Sequence, residues 1–125
     1  MFRNREFARQ LKDFSGLRWK SISPTDIDAL LEFNNKLFIL VETKFRDAPI
    51  PYGQLLALER VAGCIKDTGK AAIVCVTSHN EEGDIDMAQT IVRQYWENGA
   101  WEKEVPEINL KDFVDLMRGK YLGRV

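Results

Sequence analysis

Asp28, Glu42 and Lys44 are the residues whose types and spacing suit chemistry. Glu42 and Lys44 stand two apart, just past the apolar run Leu37-Phe38-Ile39-Leu40-Val41. In a strand, residues two apart share a face, so this carboxylate and this ammonium point the same way. Asp28 opens an earlier segment, Ile27 to Phe33, that also reads as a strand, and Asn34-Asn35 between the two reads as a tight turn. An antiparallel hairpin brings the start of the first strand to the end of the second, which places Asp28 within reach of Glu42. Two carboxylates beside a lysine suit a hard divalent cation. Magnesium binds through one or two carboxylates, keeps several waters and takes phosphate oxygens. Such an ion lowers the pKa of a water and stabilises charge developing on a phosphoryl group. A lysine beside it positions the attacking water or holds the phosphate as a point charge. These are the parts that phosphodiester hydrolysis requires. Asp26 shares strand parity with Asp28 and is the alternative ligand; Asp28 is preferred because Ala29-Leu30-Leu31 continues the strand directly from it.

The elements that must position these residues are readable from periodicity. Phe7, Leu11 and Phe14 form one stripe of a helix over 2–14, ended by Ser15-Gly16. Leu17 to Ser21 reads as a short strand, and Ser23-Pro24-Thr25 breaks the chain. The strands at 27–33 and 37–44 follow, and the unbroken apolar run of the second predicts burial on both faces. Ala48-Pro49-Ile50-Pro51 is a rigid loop. A helix from Tyr52 to Lys66 carries Leu55, Leu58, Ala62 and Ile65 on one face, with Gln54 close beside it. Ala71 to Thr77 is a third strong strand, parallel to 37–44 through the helical crossover. Beyond a polar loop from Asn80 to Gly83, Gln89–Trp96 and Trp101–Val105 flank Asn98-Gly99, a hairpin signal. A helix over 87–96 competes, since Met87, Ile91 and Tyr95 fit helical spacing, but the hairpin is the preferred reading. Asn109 to Tyr121 closes the chain as a helix. The expectation is one α/β domain spanning 1–125.

This pattern resembles the PD-(D/E)XK nuclease superfamily, whose motif is an Asp opening one strand and Glu-x-Lys ending the next, here Asp28 and Glu42-Thr43-Lys44. The resemblance implies a restriction-endonuclease-like core: a helix, a three-strand meander, a helix and a strand, with a C-terminal hairpin and helix added here. Residues 2–77 can be read in that order. In this family the two carboxylates and the Thr43 carbonyl would hold Mg²⁺ or Mn²⁺, and Lys44 would orient the hydrolytic water. Many members add a glutamate on the first helix, for which Glu6 is the candidate. RecB-like branches place a glutamine at the start of the helix after Glu-x-Lys, where Gln54 stands. Cleavage leaving a 5′-phosphate is implied by the family. The small size resembles Holliday-junction resolvases and phage-type nucleases, for which branched or single-stranded DNA and a homodimer are the expectations. The chain departs from the motif in one respect: Pro24 precedes Asp28 by four residues instead of standing directly before it.

Composition sets the frame. The 125 residues are 45% hydrophobic and 30% charged, with a net charge of -1. That charge exerts no overall pull toward nucleic acid. The distribution is uneven: Arg3, Arg5, Arg9, Lys12, Arg18 and Lys20 against Glu6 and Asp13 give the first twenty residues +4. These six are the candidate backbone contacts to DNA. One histidine, His79, and two cysteines without a CxxC spacing exclude a multi-ligand zinc site. Cys64 and Cys75 lie within apolar patterns, and neither a signal-peptide core nor a membrane span is visible, so an intracellular, cytoplasmic protein is expected. His79 reads as a loop residue. Trp96 and Trp101 read as a cross-strand pair, with base stacking as the rival role. Residues 80–125 carry no motif. The alternative to a nuclease is a catalytically inactive module of the same fold that binds nucleic acid or protein, since one fold hosts several functions. A pI near 5.9 favours that alternative mildly.

Overall fold

The computed structural model describes residues 13–123. The expected first helix, with Glu6, Arg3, Arg5, Arg9 and Lys12, therefore lies outside the described residues but for Asp13 and Phe14, which are irregular. Five strands and two helices follow: β1 (Ala29–Phe33), β2 (Leu37–Phe45), α1 (Tyr52–Asp67), β3 (Ala71–His79), β4 (Ile91–Glu97), β5 (Ala100–Glu102) and α2 (Leu110–Leu122). The strands form one mixed sheet in the order β1-β2-β3-β4-β5. Only β2 and β3 run parallel; the other neighbours are antiparallel. This is a mixed α/β fold with a helix on each face of the sheet.

The alternation of β2 sorts the core. Leu37, Ile39 and Val41 face α2, where they pack with Ile73, Cys75, Phe113, Val114 and Met117. Leu40 faces α1 and packs with Leu58, Ala62, Val74 and Trp96. Continuing the alternation puts Glu42 and Lys44 on the α1 face and the Thr43 side chain on the α2 face. There Thr43 Oγ1 lies 2.9 Å from Thr77 Oγ1. The double-sided burial expected of Leu37–Val41 is present, with only Phe38 partly exposed.

The ends of the elements follow from local chemistry. The chain turns out of α1 through Gly69, whose φ of +87° suits glycine, and its N–H donates to the Lys66 carbonyl. Asn109 caps α2 by accepting from the Asp112 N–H at 2.8 Å. Asn98 and Gly99 both take positive φ, 54° and 88°, as a two-residue type I′ hairpin demands. That turn sets Trp96 opposite Trp101. Trp96 is buried and Trp101 donates from Nε1 to Glu59 Oε1 at 2.9 Å, so the pair fastens the hairpin to α1 and is not a free stacking platform. Trp101→Phe keeps most of the ring and removes the donor. We expect a loss of about 1 kcal/mol, the net worth of one such bond, read from the midpoint of urea unfolding. An unmoved midpoint would show that the bond contributes nothing.

Two expectations need correction. The meander before α1 has two strands among the described residues, where three were expected. In the segment 17–21, Lys20 adopts a φ of 57°, and Trp19 and Ile22 exchange both backbone hydrogen bonds across a tight turn. Trp19 is 63% exposed, so no burial of apolar surface holds this segment extended against β1. The expected hairpin forms from β4 and β5, and the rival helix over 87–96 is confined to a single 3₁₀ turn at Met87–Gln89. His79 is the last residue of β3, with its ring edge-on to Phe45 at 5.4 Å, and is not a free loop residue. No helix among the described residues is long and apolar enough to cross a membrane.

Candidate active site

The register of β1 on β2 sets the corner. Ala29 stands opposite Val41, so the residue before it, Asp28, comes level with Glu42. Two bonds hold Asp28 there. Its N–H donates to the Val41 carbonyl at 3.1 Å, and its Oδ2 accepts from the Thr43 N–H at 2.7 Å. The N–H and C=O of one strand residue point to the same side. The Thr43 carbonyl therefore faces the Asp28 edge, although its side chain is on the far face of the sheet. Asp26 also borders the site, but the contact drawn from it is its backbone carbonyl, which accepts from Gln54 Nε2 at 3.4 Å.

Glu42 is 3% exposed, a charge-bearing group in the sheet interior. Its Oε1 lies 3.2 Å from Lys44 Nζ. Its Oε2 is buried and has no hydrogen-bond partner. Burial pushes the Glu42 carboxyl above its usual range and the Asp28 carboxylate pushes it further, while the Lys44 ammonium and the Gln54 amide pull it back. Lys44 offsets part of the charge at Oε1, but a buried carboxylate oxygen with no partner, beside a second carboxylate, remains costly. A divalent cation would satisfy it, as would a water from the open cleft. The donor set fits magnesium or manganese: two carboxylates, a main-chain carbonyl on the same edge, and open space for water. Among the described residues no group of three or more His, Cys, Asp or Glu side chains gathers as a metal cage. Two carboxylates and water are enough for magnesium, whereas zinc or calcium would need more protein ligands.

The corner opens into a cleft of about 940 Å³. Asp28, Glu42, Thr43 and Lys44 line its floor, and Gln54 and Arg60 stand on its α1 side. Pro51 and Gly53, at the first turn of α1, also border it. That helix end has no side-chain cap and no acidic residue in its first turn, so its positive end is open to an anion in the cleft.

The structure thus brings Asp28, Glu42, Thr43, Lys44 and Gln54 together. Arg18 and Lys20 are exposed, and Arg18 borders a smaller groove that shares Ser23, Pro24 and Asp26 with the cleft. Tyr52 is 78% exposed and borders a different groove, beside Trp101. Arg60 is the residue sequence reasoning missed. Its signal was present: Gly53, Ala57 and Arg60 recur at helical spacing on the stripe beside Gln54. Comparison with protein-family models, with curated proteins and with solved structures finds no match to this chain.

Proposed function

We propose that this chain is a metal-dependent nuclease that hydrolyses DNA phosphodiester bonds, built on a restriction-endonuclease-like core. The observation that carries the reading is the unpartnered, buried Oε2 of Glu42, set level with Asp28 and beside Lys44 at the floor of an open cleft. Asp28, Glu42 and the Thr43 carbonyl would hold Mg²⁺ or Mn²⁺. When bound, the ion supplies Lewis-acid stabilisation of phosphoryl charge and a more acidic water. Lys44 orients the water that attacks phosphorus, and its ammonium offsets the charge that builds on the phosphate. Gln54, at the start of α1 beside the corner, would steady Lys44 or the phosphate. The free N–H groups at the start of α1 receive phosphate oxygens. Arg18 and Lys20 extend the contact to the DNA backbone. Two cysteines, both free and one of them buried, support a reducing intracellular setting.

The test is cleavage of supercoiled plasmid and of branched and single-stranded oligonucleotides with Mg²⁺, with Mn²⁺ and with EDTA. We expect cutting with either ion and none with EDTA. Absence of cutting on every substrate with both ions would withdraw the enzymatic reading and leave the fold as a binding scaffold.

A further inference from the structure

We infer that Arg60 anchors the DNA strand through a phosphate one step along from the one hydrolysed; this inference rests on the nuclease reading above. The cleft does not end at the corner made by Asp28 and Glu42. Its helical wall runs along α1 from Gly53 and Gln54, past Ala57, to Arg60. Residues three and four apart on a helix are neighbours, so Gly53, Ala57 and Arg60 share one stripe. Gly53 and Ala57 keep the wall low beside Leu56, and a Cβ on Gly53 would meet nothing within 4 Å. One cleft therefore reaches from the corner to Arg60.

Distance and charge select the ligand. From Gln54 to Arg60 the helix rises roughly 9 Å, at about 1.5 Å per residue. The phosphate under attack sits at the corner by Lys44, so a cation that far along the groove meets a neighbouring phosphate of the same strand. Lys44 is engaged with Glu42 at 3.2 Å. Arg60 is exposed and forms no ion pair among the described residues. Its planar fork of donors matches phosphate oxygens in pairs, which an ammonium does not. The lining holds three carboxylates, Asp26, Asp28 and Glu42, against the cations Lys44 and Arg60. Without Arg60 the groove beyond the corner offers a phosphodiester strand no cationic side chain from this lining.

The test is steady-state cleavage of a short DNA oligonucleotide, single-stranded and duplex, with Mg²⁺ over a range of salt concentrations. Arg60→Ala replaces an exposed helical residue with the best helix former, so folding is preserved. We expect KM to rise about tenfold with kcat nearly unchanged, as loss of one charge-assisted contact predicts. The slope of log(kcat/KM) against log salt should become shallower by roughly 0.7 on a single strand and 0.9 on a duplex. Arg60→Lys should restore the slope but only part of KM, and Arg60→Glu should raise KM beyond the alanine variant. Wild-type cutting with an unchanged KM and slope in Arg60→Ala would overturn this inference alone. Wild-type protein that cuts no DNA would overturn the nuclease reading and this inference with it.

Discussion

Lys44→Ala should lower metal-dependent DNA cleavage by at least a hundredfold, on the order of 10²–10⁴ as for loss of a positioned proton-transfer or charge-stabilising group. Lys44 Nζ stands 3.2 Å from Glu42 Oε1, and its side chain keeps 24% of its surface open to the cleft. It is the cation at the corner that can touch both the water and the phosphate. The variant also deprives a buried carboxylate of its partner, so its unfolding midpoint falls too. Lys44→Arg separates the two effects. It keeps a positive charge beside Glu42 but replaces a compact ammonium with a broad planar fork. Stability should return in Lys44→Arg while cleavage stays low. Cleavage by Lys44→Ala within tenfold of wild type would remove this residue from the reaction.

Glu42→Gln should change sign with metal. In EDTA at pH 7 the variant should be the more stable protein, by on the order of 1 kcal/mol, the cost of one buried acceptor left unpaired. The direction follows from proton linkage. Burial and Asp28 raise the Glu42 carboxyl above its ordinary value of 4.5, so between the unfolded and folded values the folded chain binds more protons than the unfolded chain. Stability from that proton is complete below the unfolded value and is lost as pH rises through the folded one. The advantage of the variant should therefore vanish by pH 4. With Mg²⁺ at a hundredfold excess over its dissociation constant, wild type gains about 2.7 kcal/mol by mass action. A glutamine has no charge to hold the ion, so the variant should gain far less and fall below wild type. Urea unfolding of both proteins in EDTA and in Mg²⁺, at pH 4 and pH 7, reads the crossing. Equal shifts with Mg²⁺ in the two proteins would place the ion elsewhere.

Much of this fold is legible in the sequence itself. The alternation of Leu37–Lys44, the stripe of Leu58 and Ala62, and the Asn98-Gly99 turn each act within a few residues, and each formed as expected. The segment at 17–21 misled because its Leu17 and Trp19 alternate like a strand. A short alternating segment needs a partner and a surface to bury, and neither is encoded locally. His79 misled for the opposite reason: polar neighbours suggested a loop, but Phe45 and β2 pairing extend β3 through it.

From its own residues the sequence determined which groups share a face. Parity puts Glu42 and Lys44 together, the Asn34-Asn35 turn returns Asp28 toward them, and helical spacing puts Gln54 near the apolar side of α1. The tertiary structure alone decided three further things. The register of β1 on β2 levels Asp28 with Glu42 and turns the Thr43 carbonyl to the same edge. Burial leaves Glu42 Oε2 without a partner, which depends on how closely α1 covers the sheet. The seating of α1 also makes Arg60 part of the cleft and leaves Tyr52 outside it. Side-chain direction along a strand or helix is a property of the local backbone. Register, desolvation and the groove between two elements arise only when distant segments pack, so no window of sequence contains them.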